Sequence, residues 1–193
     1  GNPHRGAHIF AISASEAYDT SKEVVRDFIH ARSEKEIIYT RNTSESLNLV
    51  ARSYGETHLK AGDHILITIA EHHSNLVTWQ RVAQKTGATL DYIYVDKKTG
   101  HFPEEELKKI DDPRVKLFAF AEVSNVLGID FDPKPLIQRA HAHGAIVVLD
   151  GAQSTPHKPV DVQDLDCDFF AFSGHKMCSM GGIGVLYGKE ELL

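Results

Sequence analysis

The sequence predicts an α/β fold, a three-layer α/β/α sandwich around a mostly parallel sheet of roughly seven strands. Seven apolar segments of strand length alternate along the chain with amphipathic helical segments, an order typical of parallel sheets with right-handed crossovers. Several strand segments are apolar throughout, as in Ile146-Val147-Val148-Leu149. Such runs indicate central strands that helices cover on both faces.

The individual elements follow from apolar periodicity and from turn signals. The predicted strands are 36–40, 64–69, 89–95, 115–121, 145–150, 168–173 and 184–187. The predicted helices are 13–30, 44–54, 74–86, 103–110 and 133–143. Each of the last three helices is followed by residues that favour a helix end, namely Gly87, Asp111-Asp112-Pro113 and Gly144.

The composition is that of an ordinary globular protein. Of 193 residues, 41% are hydrophobic and 25% are charged, which suits one domain with a sizeable core. The net charge of −6 is spread over both signs, so nothing favours a nucleic acid or an anionic membrane as a partner. No apolar run approaches the roughly 18 residues that span a bilayer, and no signal peptide is recognised. The two cysteines, Cys167 and Cys178, argue against a disulfide framework and suit a reducing cytoplasm.

Both ends indicate a piece of a longer protein. The sequence opens at Gly1-Asn2-Pro3 without a methionine, and residues 190–193 resemble the start of a helix. We therefore expect residues 1–193 to form one large domain that is truncated at both ends.

Polar residues follow five of the predicted strands. In parallel α/β sheets, ligand-binding residues collect at the carboxyl ends of strands and in the loops that follow. Loops without a ligand are polar too, so position alone does not decide between the two. The residues are Thr43-Ser44, Glu71-His72-His73, Ser124-Asn125, Asp150 with Gln153, and Ser173-Gly174-His175-Lys176.

Asp150 and Lys176 carry the strongest chemical implication. Asp150 ends a buried apolar strand, where an unpaired carboxylate is costly and calls for a cationic partner; a helix N-cap or turn acid is the alternative. Lys176 follows an aromatic strand, and partial burial lowers the pKa of a lysine enough for a Schiff base with an aldehyde; a solvated surface lysine is the alternative. Together, such a lysine and an acid facing a pyridinium nitrogen are what a protein supplies to pyridoxal 5′-phosphate (PLP).

A phosphate site is predicted where the helix 44–54 begins. Thr43 and Ser44 lie where free backbone N–H groups and the helix dipole favour an anion. Capping of the helix by the same hydroxyls is the alternative. The twelve histidines do not predict a metal site. His72 with His73, and His141 with His143, lack the i, i+4 spacing that places two ligands on one helical face.

Several motifs together resemble the cysteine desulfurases, in the branch of the class V aminotransferases that mobilises sulfur and includes selenocysteine lyases. The resemblance covers essentially the whole chain in consistent order. It rests on Ser173-Gly174-His175-Lys176, Asp150-Gly151-Ala152-Gln153, Val123-Ser124-Asn125-Val126-Leu127-Gly128, Glu71-His72-His73-Ser74-Asn75 and the opening His4-Arg5-Gly6.

The resemblance implies a fold-type I PLP-dependent large domain and a role for each site residue. Lys176 would carry PLP and move protons at the substrate α-carbon, and Asp150 would pair with the pyridinium nitrogen. His72 would stack on the ring and act in acid–base steps. The other implied contacts are Gln153 with the ring 3′-oxygen, Asn125 near the ring oxygen and substrate carboxylate, and Ser173, His175, Thr43 and Ser44 with the phosphate.

The resemblance also implies the activity of the parent protein. It would convert L-cysteine to L-alanine and leave a persulfide on a catalytic cysteine for iron–sulfur cluster assembly, as a homodimer that passes sulfur to an acceptor protein. That cysteine, the arginine for the substrate carboxylate and much of the small domain are expected outside this chain, which alone is expected to be inactive. Other enzymes of the superfamily (a selenocysteine lyase, an aminotransferase or an epimerase) remain alternatives. A non-catalytic scaffold is a further one, against which Lys176 and Asp150 argue.

Three segments depart from the family pattern. The usual Gly-Thr-Thr turn is Asn42-Thr43-Ser44, which keeps its hydroxyls. The usual histidine before Val-Ser-Asn is Glu122, an added negative charge. The usual Gly-Pro-containing loop after Lys176 contains Cys178-Ser179-Met180-Gly181-Gly182. Cys178 does not align with the family's catalytic cysteine, and Cys167 is expected to be buried packing.

Overall fold

A computed structural model describes residues 8–193, and all seven predicted strands are present in it. Their ends differ from the predicted ends by at most two residues. The motif His4-Arg5-Gly6 lies outside the described residues. The strands are β1 (Ile37–Thr40), β2 (His64–Thr68), β3 (Thr89–Ile93), β4 (Val115–Ala121), β5 (Ile146–Asp150), β6 (Phe169–Ser173) and β7 (Gly184–Gly188).

The strands form one sheet in the order β1-β7-β6-β5-β4-β2-β3. Neighbouring strands from β6 to β3 pair in parallel, whereas β7 is antiparallel to both β6 and β1. The prediction of a mostly parallel sheet is therefore confirmed. Because β7 runs the other way, it begins at the edge where β1 and β6 end, with Gly184 opposite both Thr40 and Ser173.

The five predicted helices are present, with one boundary that was wrong. The first helix begins at Ile9 instead of residue 13, because the imidazole of His8 caps it by accepting a hydrogen bond from Ala11 N–H. Two short helices were not predicted, one at Glu56–His58 and one after Asp161. The helices are α1 (Ile9–Phe28), α2 (Thr43–Val50), α3 (Glu56–His58, reached through a π-helical turn at Ala51–Gly55), α4 (His73–Thr86), α5 (Glu104–Leu107, continued by a 3₁₀ turn at Lys108–Asp111), α6 (Pro133–Ala142) and α7 (Val162–Leu165).

Helices cover both faces of the sheet and confirm the three-layer architecture. On one face, Leu47 of α2 and Trp79 of α4 pack with Val148 of β5. On the other face, Ile137 of α6 packs with Leu149 and its neighbours, and Val25 of α1 joins this cluster. Alternate residues of β5 thus enter different clusters, as a strand covered on both sides requires. No helix within residues 8–193 is long and apolar enough to cross a membrane.

Candidate active site

A cavity of about 200 Å³ opens at the carboxyl ends of β4, β5 and β6, between the beginnings of α2 and α4. Ala121, Asp150 and Ser173, the last residues of these strands, contribute to its wall. All nine residues that the sequence predicts for the site line this cavity: Lys176, His72, Asp150, Gln153, Asn125, Thr43, Ser44, Ser173 and His175. The rule that ligand-binding residues collect at the carboxyl ends of parallel strands therefore pointed to residues that line one cavity.

Asp150 is buried at the inner wall of the cavity, with 4% of its surface exposed. Its Oδ1 accepts a hydrogen bond from Ala152 N–H at 2.9 Å. The alternative role, an acid that stabilises a turn, therefore explains one of the two carboxylate oxygens. Burial raises the pKa of Asp150, while Ala152 N–H and the positive charges of Lys176 and His72 oppose that rise. The described residues supply no ion pair to this carboxylate, and a cation in the cavity would be stabilised beside it.

Lys176 ends the 3₁₀ turn Gly174–Lys176 that follows β6. It is half-buried, and it is near enough to Asp150 for its charge to act on that carboxylate. Among residues 8–193, no hydrogen bond or ion pair engages its amine. The amine therefore remains available to a ligand in the cavity.

The beginning of α2 forms another wall of the cavity and is held by β6. Asn42 is the N-cap of α2, and its Oδ1 accepts a hydrogen bond from Glu45 N–H at 2.9 Å. Thr43 N–H donates to Ser173 Oγ at 2.8 Å, and the Thr43 and Ser173 hydroxyls lie 2.6 Å apart. Because Asn42 is the cap, capping by Thr43 or Ser44 is excluded. Their hydroxyls stand at the positive end of a helix dipole, where anions bind.

His72 is the N-cap of α4 and lies exposed at the rim of the cavity. Its Nδ1 accepts a hydrogen bond from Ser74 N–H at 3.1 Å. A backbone N–H can only donate, so Nδ1 carries no proton and a neutral His72 holds its proton on Nε2. The cap therefore fixes both the tautomer and the orientation of the ring.

Asn125 and Gln153 line the cavity from the loops that follow β4 and β5. Asn125 is exposed, but its neighbour Ser124 is buried and donates a hydrogen bond to Ala70 O at 3.0 Å. The loop is also closed by a bridge between Val123 and Asp130. These contacts fix the backbone that carries Asn125.

A profile of the Aminotransferase class-V family matches residues 1–193. The chain belongs to this family.

Curated relatives of the class V aminotransferase family cover the whole chain. A probable cysteine desulfurase of Halalkalibacterium halodurans is 51% identical over 192 residues, which are 100% of this chain and 47% of that protein. A probable cysteine desulfurase of Synechocystis is 50% identical, over 100% of this chain and 46% of its own length. The chain thus spans about half the length of the curated relatives it matches.

Solved structures of this family share the fold. The apo structure of a cysteine desulfurase from Thermococcus onnurineus has a TM-score of 0.92 and 45% identity, over 99% of this chain and 47% of that chain. The cysteine desulfurase CsdA of Escherichia coli has a TM-score of 0.89 and 42% identity, over 100% of this chain and 48% of that chain. The sheet and its flanking helices therefore correspond to about half of each solved protein.

Glu122, a departure from the family pattern, is neutralised outside the cavity. It is buried, with Oε1 2.7 Å from Lys158 Nζ, and it is not part of the cavity wall. Lys158 also binds Asp130. Burial alone would lower the pKa of Lys158, but its bonds to these two acids raise it above the usual value. Lys158 therefore compensates the negative charge of Glu122 outside the cavity.

The two cysteines differ in environment. Cys167 is fully buried, as predicted, and burial raises the pKa of its thiol far above the usual value. Cys178 is exposed in the loop after Lys176 and has a left-handed backbone conformation with φ of 60°. Neither cysteine is part of the cavity wall. Within residues 8–193, no cluster of three or more metal-ligating side chains is present.

Glu71 belongs to one of the family motifs, but the sequence predicts no role for it. The structure places it directly before His72 with 8% of its surface exposed, and burial raises the pKa of its carboxyl to about 8. The signal that could have found it is the one used for Asp150, an acid at the end of a buried strand, since β2 ends three residues earlier at Thr68.

Proposed function

We propose that this chain is the PLP-binding large domain of a cysteine desulfurase. The observation that carries the proposal is that Lys176 and Asp150 face one cavity, with no ion pair to either side chain among the described residues. A free amine suits the aldehyde of PLP, and a buried carboxylate suits its pyridinium nitrogen. Few other ligands need both groups in one small cavity.

The wall formed by the beginning of α2 fits the phosphate. Thr43, Ser44 and Ser173 present hydroxyls beside a helix N-terminus, and His175 lies at the same cavity. The sequence predicted free backbone N–H groups here, but Thr43 N–H is bonded to Ser173 and Glu45 N–H to Asn42. The hydroxyls and the helix dipole are therefore what this wall offers to a phosphate. The residues present therefore fit each polar part of PLP.

PLP, when bound, withdraws electrons from the α-carbon of an amino acid. The Asp150 carboxylate would pair with the pyridinium nitrogen and oppose its positive charge. This attraction would keep the ring nitrogen protonated. Lys176 would hold the cofactor and would move a proton at the substrate α-carbon. His72 would lie against the ring and exchange protons through Nε2, while Asn125 and Gln153 would contact ring and substrate oxygens.

The assignment to cysteine desulfurases is supported by relatives of that name at 50% identity or more. In the parent protein, the thiolate of a cysteine outside this chain would form an S–S bond to the sulfur of L-cysteine as the substrate C–S bond breaks. The C–S electron pair would pass to the substrate carbon, which takes up a proton, so that L-alanine leaves and a persulfide remains on the protein. An acceptor protein then receives that sulfur for iron–sulfur cluster assembly. The buried thiol of Cys167 cannot serve as the persulfide carrier, because no substrate reaches it. The proposal includes a homodimer. It also includes a cytoplasmic location, because two free cysteines suit a reducing compartment.

Trapping with borohydride tests the cofactor assignment. The chain is incubated with PLP, reduced, digested and analysed by mass spectrometry, and a single reduced PLP adduct is expected on Lys176. Lys176→Ala should carry none, whereas Lys97→Ala, a change of an exposed lysine, should behave as the native chain. An unlabelled native chain, or equal labelling of Lys176→Ala, would refute the assignment. In the full-length protein, release of alanine from L-cysteine tests the activity.

A further inference from the structure

Glu71 accepts hydrogen bonds at both carboxyl oxygens although it is not part of the cavity wall. Its Oε1 contacts the Thr68 hydroxyl and accepts from Ala121 N–H at 3.1 Å. Its Oε2 accepts from Asn75 Nδ2 at 2.6 Å. These three partners belong to β2, β4 and α4, so one side chain joins three elements.

The polarity of this network is fixed by two groups that can only donate. Trp79 Nε1–H donates to Asn75 Oδ1 at 2.8 Å, which turns the Asn75 amide so that its NH₂ group faces Glu71. Ala121 N–H donates to the other oxygen of Glu71. Both oxygens of residue 71 must therefore accept. A glutamine cannot meet this requirement in either orientation, because its NH₂ group would face a donor each time.

The network lies immediately behind the residues that face the cavity. Ala121 lines the cavity and pairs with Asp150 in the sheet, and His72 follows Glu71 in sequence. The bond between Glu71 and Ala121 thus ties the turn that carries His72 to the strand end beside Asp150.

The charge of Glu71 is compatible with a place beside Asp150. Burial is the largest cause that raises the pKa of Glu71 to about 8, and the negative charge of Asp150 adds to it. Near pH 7 the carboxyl is thus largely neutral. The Thr68 hydroxyl donates to the charged form of Glu71, and it is the one partner among the described contacts that can accept from the neutral form. Glu71 can therefore hold the turn without a second full negative charge near the pyridinium site.

We infer that Glu71 is a positioning residue for the cofactor site, which sets the place of His72 over the ring by accepting hydrogen bonds from both β4 and α4. This role rests on the proposed function, because it concerns the cofactor that the chain is proposed to hold. Glu71 acts through His72 and the end of β4.

An exchange of the acid and the amide between positions 71 and 75 tests this role in the full-length protein. In Glu71→Gln alone, the glutamine NH₂ group faces a hydrogen-bond donor in either orientation, so one bond of the network is lost. In Glu71→Gln/Asn75→Asp, the glutamine accepts from Ala121 N–H and donates to the new aspartate, which also accepts from Trp79. The double variant therefore restores every bond. Three quantities are measured: the PLP affinity, the visible absorption maximum of bound PLP, and the hydrogen-exchange rate of the Ala121 amide in the cofactor-free protein.

Glu71→Gln should weaken PLP binding about tenfold and speed Ala121 exchange about tenfold, because one buried donor loses its partner. It should also shift the absorption maximum, and the double variant should restore all three readouts. Asp63→Asn, which removes a buried acid that accepts from Lys60 N–H before β2 begins, should leave PLP affinity and absorption unchanged. This control separates positioning from general loss of stability.

If the native protein binds PLP and Glu71→Gln binds it equally well, the role of Glu71 is overturned while the proposed function stands. The same holds if the double variant binds PLP no better than Glu71→Gln. A native protein that takes up no PLP would overturn the proposed function, and the role with it. The two failures are therefore distinguishable.

Discussion

Lys158 holds its amine 2.7 Å from Oε1 of Glu122, a carboxylate of which only 3% of the surface is exposed. The second oxygen of Glu122 has no hydrogen-bond partner among residues 8–193. Lys158 therefore supplies the main compensation for a buried charge at a position where the family usually has histidine. Since Glu122 N–H also donates to Asp150 O at 3.1 Å, the pair lies directly behind the proposed cofactor site.

Replacing Lys158 by methionine is expected to destabilise the domain by about 2–4 kcal/mol, because it leaves Glu122 buried without its partner. Adding Glu122→Gln should recover most of this loss, since the uncompensated charge is then absent. Urea unfolding monitored by circular dichroism measures both variants. Equal stability of the single and double variants would show that the pair does not compensate the charge.

Replacing Ser173 by alanine removes the oxygen that accepts from Thr43 N–H. Both residues are buried, and an unpaired buried N–H costs about 1–3 kcal/mol. We expect a loss of stability of that size and weaker PLP binding, measured by urea unfolding and by cofactor titration. Ser53→Ala, which changes an exposed hydroxyl bonded to Leu49 O, should alter neither quantity. PLP affinity unchanged in Ser173→Ala would contradict a phosphate contact at this serine.

Gly184 permits the close approach of β7 to the turn before α2. A Cβ at this position would lie 2.5 Å from Asn42 Cα. Gly184→Ala should therefore push Asn42 outward, lower stability by about 1–3 kcal/mol and weaken PLP binding. At Gly181 an added Cβ would meet nothing within 4 Å, so Gly181→Ala should be neutral within about 0.5 kcal/mol. Similar PLP affinities for the two variants would show that the turn does not depend on this contact.

The ion pair between His141 and Asp168 predicts a pH dependence of stability. Nε2 of His141 lies 2.8 Å from Oδ2 of Asp168, and this bond raises the pKa of His141 above 6.5. Burial alone would raise the pKa of Asp168, but bonds from His141, Val147 N–H and Lys189 bring it below 3.8. The contribution of Asp168 is therefore present above pH 3.8 and lost as the pH falls. That of His141 is full below pH 6.5 and lost as the pH rises through the raised pKa.

The free energy of unfolding, measured in urea from pH 4 to pH 9, should therefore fall less steeply on the alkaline side for His141→Gln than for the native domain. The comparison isolates His141, because Glu71 and the other titrating groups are common to both proteins. Parallel profiles would contradict the pair as a source of the pH dependence.

The fold could be predicted because its signals are local. Apolar runs such as Ile146–Leu149 and breaks such as Gly87 and Gly144 lie in short windows of sequence. The positions of Asp150 and Lys176 also followed, since each comes at or just after the end of a clear strand. The direction of β7 did not follow, because a five-residue apolar strand looks the same in either direction.

The parts that could not be predicted depend on distant partners. Glu122 and Lys158 are 36 residues apart, and Glu71 binds Ala121 across 50 residues. No sequence periodicity links such distant positions. The partners of these charged side chains could therefore be identified only from the folded structure. The cap of α2 is Asn42, one residue before the hydroxyls considered for it, and a shift of that size lies within the usual uncertainty of helix ends.

The central place of β7 has a consequence for how the site comes into being during synthesis. In the described sheet β1 borders only β7, and the contact of Thr43 with Ser173 spans 130 residues. A nascent chain released only as far as Lys176 has no strand with which to hold β1 against β6. The wall formed by the beginning of α2 and Ser173 therefore assembles only after β7 has been made, through long-range closure that is slow compared with local helix formation. On the proposed function, a newly made chain would retain the phosphate of PLP only once residues 184–188 have emerged from the ribosome.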